Sequence, residues 1–121
     1  MKIEMIKRNN VDIAVVKSDT LLITDVQSAL DFLMTVKYQT GCANIAVNKE
    51  AVTEDFFVLS TRLAGEILQK FINYGARLAV YGDYSKYTSK PLKDFIYESN
   101  KGKDFYFVAD ADEAADKLCG R

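Results

Sequence analysis

Residues 77–110 read "RLAVYGDYSKYTSKPLKDFIYESNKGKDFYFVAD", two β-forming apolar runs around one helix-forming run. The first run, "RLAVYGD" (77–83), is short, apolar and closed by Gly82 and Asp83, which reads as a buried strand. A helix follows from about Ser89, with Pro91 in its first turn, where a missing amide is harmless. Leu92, Phe95 and Ile96 form its inner side, Lys93, Asp94, Tyr97 and Glu98 its outer side, and Asn100 and Gly102 its exit. "DFYFVAD" (104–110) is the second strand. Asp110 with Glu113 makes a capping-box pattern that starts a last helix, with Ala111, Ala114, Ala115 and Leu118 inward. Strand, helix and strand in direct succession imply a crossover and parallel strands.

Upstream the same alternation continues. "KIEMIKR" (2–8) and "VDIAVVKS" (11–18) read as a hairpin around Asn9 and Asn10, and "LLI" (21–23) extends or follows the second strand. Thr24 is expected to open a helix through the pattern "TDVQ", with Gln27 reaching back to it, an inner stripe of Val26, Ala29, Leu30 and Leu33, and a stop at Gly41. "NIAVN" (44–48) fits a buried strand. "TEDFFVLSTRLAGEILQKFINYG" (53–75) has the longest helical period in the chain. Thr53 is expected to cap it, Glu54 and Asp55 to suit its positive end, and Gly75 to end it, with Phe56, Leu59, Leu63, Ile67, Leu68 and Phe71 inward. Gly65 inside it points to a second backbone packed close by, the alternative being a position where glycine is simply tolerated. The expected fold is one α/β domain over residues 1–121, of order ββαβαβαβα, with a mixed, mostly parallel sheet of about five strands.

Composition narrows the function. With 49% apolar residues and one proline, the 121-residue chain has the material for one ordinary core. Sixteen basic and 17 acidic residues leave a net charge of −1, no general footprint for nucleic acid, though a local basic patch stays open. "MKIEMIKRNN" has no apolar signal region, and no stretch reaches the roughly 18 apolar residues of a membrane span, so a cytoplasmic location is expected. Cys42 and Cys119 are too few and too distant to read as a disulfide framework. The sequence contains no histidine, which removes the commonest general base and the usual partner of a Ser or Cys nucleophile.

The order ββαβαβαβα, over nearly the whole chain, resembles the STAS domain, the fold of anti-sigma-factor antagonists and of the cytoplasmic tails of sulfate transporters. The segments "EDFFVLSTRLAGEILQKFINYG", "LAVYGDYSKYTSK" and "DFIYESNKG" also resemble a bacterial domain family of unknown function with no assigned activity. In STAS antagonists a strand ends in Asp and the second helix opens on Asp-Ser-Ser-Gly, whose serine a partner kinase phosphorylates. The resemblance puts Asn48 at that strand end and "LSTRL" (59–63) over that motif, with Ser60 or Thr61 as acceptor, Leu59 replacing the acid and Arg62 the glycine. With the helix starting at Thr53, Ser60 is expected on its inner face, and no phosphorylation switch is expected.

Open α/β sheets bind ligands beyond the carboxyl ends of their parallel strands, where Asn48, Asp83 and Asp110 are placed. Asp83 has the chemistry of a hydrogen-bond acceptor or cation ligand, Ser85, Thr88 and Ser89 with helix amides that of an anion site, and Lys86 and Lys90 supply charge. The structural counterpart makes Asp83 an Asx-turn acceptor, Ser89 a helix cap and the lysines solvated surface. Asp110 already has capping to do, so no metal is assigned to it with Asp83; no cofactor and no catalytic residue is assigned either. Tyr74, Tyr84, Tyr87 and Tyr97 suit a protein interface. The favoured function is a non-catalytic regulatory or protein-interaction module whose surface comprises Asp83, Tyr84, Ser85, Lys86, Tyr87, Thr88, Lys90 and Tyr97. The alternative is a small-molecule or anion-binding protein, or a small enzyme, using the loop 83–90. A protein partner is expected, nucleic acid and membrane are not, and a homodimer is left open. For a recognition loop, Tyr84, Lys86 and Tyr87 are expected to be accessible, and Asp83 and Ser89 to be tied to backbone amides.

Overall fold

In the computed structural model, which describes residues 1–120, β4 (Arg77–Tyr81) and β5 (Phe105–Val108) lie side by side and parallel, with α3 (Lys90–Lys101) as their crossover. Ahead of them come β1 (Lys2–Arg8), β2 (Val11–Lys17), α1 (Val26–Thr40), β3 (Asn44–Asn48) and α2 (Leu63–Asn73), and α4 (Ala111–Cys119) follows. The five strands stand in the sheet in chain order. β1 is antiparallel to β2, and every later neighbour is parallel. The hairpin turn places Asn9 and Asn10 at φ 54° and 65°, the left-handed pair that a two-residue turn of matching twist needs. This is the mixed α/β architecture expected from the sequence.

Alternate residues of each strand go to opposite faces, and the two faces are packed differently. Ala14, Val16, Ile45, Val47, Leu78, Val80 and Phe107 face α1, α2 and α3 in the larger core. Ile13, Ala46, Ala79, Tyr106 and Val108 face α4 alone, which presents Ala114, Ala115 and Leu118. Small residues on both sides of that contact let the helix lie close to the sheet. Arg77 secures it from the amino end of β4: its guanidinium donates to the Leu118 carbonyl at 2.7 Å and to the Tyr106 hydroxyl at 2.9 Å. At the β5 edge, Asn100 of α3 exchanges two hydrogen bonds with the Phe107 backbone, at 3.0 and 2.7 Å. That carboxamide occupies edge groups that would otherwise invite another strand.

Four expectations are corrected. The run 53–75 is not one helix: short 3-10 turns cover Glu54–Phe57 and Leu59–Thr61, and α2 begins only at Leu63. Val58 is extended and Arg62 is left-handed at φ 63°. The Thr61 hydroxyl lies 2.8 Å from the Val58 carbonyl and 2.9 Å from the Asp55 carbonyl, taking acceptors that a continuous helix would use for its amides. It also accepts from the Leu63 amide, so the same side chain that closes one turn opens the next helix. Phe56, Ile67 and Phe71 are buried as expected and Leu63 is half-buried, but Ser60 and Thr61 are exposed, not hidden on an inner face. Helix α1 is capped by Asp25 with Ser28 as the reciprocal partner, one residue later than Thr24 with Gln27. Of the two expected readings of "LLI" the second holds: it follows β2 without extending it, and Ile23 makes an isolated parallel bridge to Val52.

The fourth correction is Gly65. A Cβ built there meets nothing within 4 Å, so no second backbone requires the glycine. Gly65→Ala should therefore raise stability by about 0.5–1 kcal/mol through helix propensity and a less flexible unfolded chain. Urea unfolding monitored by circular dichroism reads this directly; destabilisation would mean that the α2 surface is packed more tightly than described.

Candidate functional site

The carboxyl end of β3 passes straight into a 3-10 turn, Lys49–Ala51, that drives a lysine into the protein. Lys49 is buried, and its stem passes over Gly82 at the end of β4: a Cβ on Gly82 would sit 2.7 Å from the Lys49 Cβ. The glycine is needed here for space. The Lys49 ammonium reaches the Glu54 carboxylate at 3.2 Å and lies 4.9 Å from the Tyr87 ring centroid and 5.4 Å from that of Phe57. Opposite charge and two aromatic faces thus compensate its loss of water. Asn48, also buried, bonds both backbone groups of Ser18, at 2.9 and 2.7 Å, and so ties the end of β2 to the end of β3.

Glu54 gathers the loop that follows β4. Its carboxylate accepts from Lys49, from Lys86 at 3.1 Å and from the Tyr87 hydroxyl at 2.7 Å. Desolvation pushes this carboxyl upward, but the hydrogen bonds from Tyr87, Lys86 and Lys49 outweigh it and hold it at about 2. Tyr87 stacks on Phe57 with ring centroids 5.2 Å apart, and Tyr84 meets Phe57 and Phe107 edge-on at 5.8 and 6.1 Å. The Tyr84 hydroxyl donates to the Val80 carbonyl at 2.7 Å, and burial pushes its pKa upward. Asp83 accepts from the Ser85 amide at 2.9 Å, which pulls its pKa down, and Ser89 caps α3 by accepting from Leu92.

The nominated residues therefore divide. Asp83 and Ser89 hold the loop through backbone amides, as expected. Tyr84 and Tyr87 are half-buried core contacts, not freely accessible rings, because each hydroxyl has an acceptor within the chain, Val80 or Glu54, and each ring an aromatic neighbour. Lys86 is turned to Glu54 and Lys90 to Asp94, at 2.7 Å. Tyr74 and Tyr97 are exposed. Asp110 caps α4 by accepting from the Glu113 amide at 2.8 Å. Among the described residues no cluster of three or more His, Cys, Asp or Glu side chains is arranged to hold a metal ion.

Five of the eight nominated residues nevertheless converge. A groove of about 420 Å³ runs between the loop and α3, with Tyr84, Ser85, Tyr87 and Thr88 on one wall and Lys93, Ile96, Tyr97 and Asn100 on the other. Asp83 lies instead on a separate hollow of about 480 Å³ beyond β4 and β5, shared with Gly82, Val108, Ala109 and Glu113. The missed members of the groove, Lys93, Ile96 and Asn100, follow the three- and four-residue spacing of one helix face with Tyr97, a signal present in the sequence. Glu54 and Phe57 carry no such signal, since only tertiary contact brings them to the loop.

Residues 8–118 match the model of a family described as a domain of unknown function, DUF4180. The chain belongs to that family. The DUF4180 match takes in β2 to β5, the Lys49–Glu54 contact and both walls of the groove. No curated protein and no solved structure matches the chain. In addition, no described helix is long and apolar enough to cross a membrane.

Two outcomes test the architecture of the site. Gly82→Ala should cost about 1–3 kcal/mol, as overpacking does, because the Lys49 Cβ belongs to a buried stem and not to a free chain end; an unchanged urea midpoint would contradict the close approach. Glu54 has a folded pKa below its ordinary 4.5, so its contribution is fully present above pH 4.5 and is lost as pH falls through about 2. Glu54→Gln should remove that part of the acid profile of stability, and identical acid profiles for the two proteins would contradict the three-donor arrangement.

Proposed function

We propose that this DUF4180 chain is a non-catalytic regulatory or protein-interaction module, working in the cytoplasm without a cofactor, that receives a protein partner in the groove between the β4–α3 loop and α3. One observation carries this reading: the two tyrosine hydroxyls and the carboxamide of the groove walls are spent on holding its shape, while the Tyr97 ring beside them is exposed. The hydroxyls of Tyr84 and Tyr87 and the carboxamide of Asn100 are all bonded within the chain, to Val80, Glu54 and Phe107, whereas Tyr97 is 63% exposed. An aromatic surface held in shape by such bonds suits a side-chain anchor from another protein. The STAS-like order of elements agrees with a regulatory role by resemblance alone.

The alternative, a small-molecule or anion site or a small enzyme using the loop 83–90, has the hollow beyond β4 and β5 in its favour, because it lies where α/β sheets bind ligands. It has less support, since the two ammonium groups it would use are engaged by Glu54 and Asp94 and the hollow is lined by the carboxylates of Asp83 and Glu113.

Site-directed photo-crosslinking in cells separates the two. A photoreactive residue at position 97 should capture one defined protein, while the same residue at position 38, where Tyr38 is 93% exposed on α1, should not. Equal capture from both positions would count against the groove.

A further inference from the structure

We infer that the partner segment is an acidic peptide with one bulky apolar residue flanked on both sides by carboxylates, an inference that rests on the docking reading above. Residues 84–103 hold five lysines and two acids, although the whole chain has a net charge of −1, so the segment that forms the loop and α3 is locally basic. Two of those lysines, Lys86 and Lys90, already hold carboxylates. Lys93 and Lys101 hold none among the described residues. They stand four residues before and four after Tyr97 on one face of α3, with the Lys101 ammonium 5.1 Å from the Tyr97 ring centroid. The strip is thus cation, aromatic, cation, beside a groove whose lining contains Ile96, Tyr84 and Tyr87 and no acid.

Helical rise sets the spacing of the complement. Four residues of helix advance about 6 Å, which two residues of an extended peptide span at about 3.3 Å each. The matching pattern is an acid, any residue, an aromatic or branched apolar anchor, any residue, and a second acid. The anchor enters the groove against Ile96 and Tyr97, and the two carboxylates meet Lys93 and Lys101. Nucleic acid fits this face less well: no arginine occurs in residues 84–103, two of the lysines are occupied, and the groove hydroxyls of Tyr84 and Tyr87 are already donated to Val80 and Glu54, which leaves few donors for phosphates or base edges.

Selection of a randomised displayed peptide library on the full chain tests this, with Tyr97→Ala as the counter-selection. Peptides that depend on Tyr97 should show acids two positions to either side of an aromatic or branched residue. A synthetic copy of the strongest peptide, labelled for fluorescence anisotropy, should bind Lys93→Glu about tenfold or more weakly, and binding should return when the matching acid of the peptide is changed to lysine. Lys93 is exposed and pairs with no acid among the described residues, so the variant keeps the fold. Tyr97-dependent peptides without acids would overturn the partner chemistry while leaving the docking reading standing. Absence of any Tyr97-dependent enrichment would overturn both. Tighter, Lys93-dependent binding of a single-stranded oligouridylate would overturn the inference in favour of nucleic acid.

Discussion

The carboxylate of Glu54 joins two parts of the chain that only folding brings together, and the candidate surface depends on that junction. Upstream it neutralises Lys49, a cation driven inward at the end of β3; downstream it receives the Tyr87 hydroxyl and the Lys86 ammonium from the loop after β4. An ammonium buried without such a partner would be strongly unfavourable, so the lysine and the glutamate have to be considered as a unit. With the unit intact, Tyr87 lies flat on Phe57, Tyr84 is wedged against Phe57 and Phe107, and the loop has little freedom left. Rigidity of this kind lowers the entropy lost when a partner binds.

The sheet sets the stage for that junction. Strands in chain order put α1, α2 and α3 on one face, so the loop after β4 emerges next to the short turn that carries Glu54 and Phe57. Gly82 leaves room for the Lys49 stem, and Asn48 fixes the β3 end to Ser18. On the opposite face, alanines under α4 and the Arg77 bonds to Leu118 and Tyr106 keep the sheet covered without a second crossover helix. The groove is therefore a product of packing on one side of the molecule alone.

Much of this was legible in the sequence. Residues 77–110 declare a strand, a capped helix and a strand, because Ser89, Pro91 and Asp110 act locally, within a turn of the helix each one starts. Gly41 and Gly75 end their helices at φ 72° and 69° for the same local reason. The run 53–75 misled because apolar residues spaced by three and four fit both a helix and a chain of 3-10 turns. What decides between them is the Thr61 hydroxyl and the left-handed Arg62, which no hydrophobic period reports. Tyr84 and Tyr87 looked exposed because they stand among polar neighbours. Their acceptors, Val80 and Glu54, are found only once the loop folds back over the core.

The loop is folded back and held from a distant residue: Glu54 maintains the shape of the β4–α3 loop, while the sheet stands without it. Amide hydrogen exchange resolved by residue, in the unaltered protein and in Glu54→Ala, tests this most directly. The Tyr87 amide, bonded to the Tyr84 carbonyl at 3.1 Å, is expected to lose about tenfold or more of its protection, well beyond any loss at the amides of β3 and β4. Unchanged protection at Tyr87, or an equal loss across the strands, would contradict it.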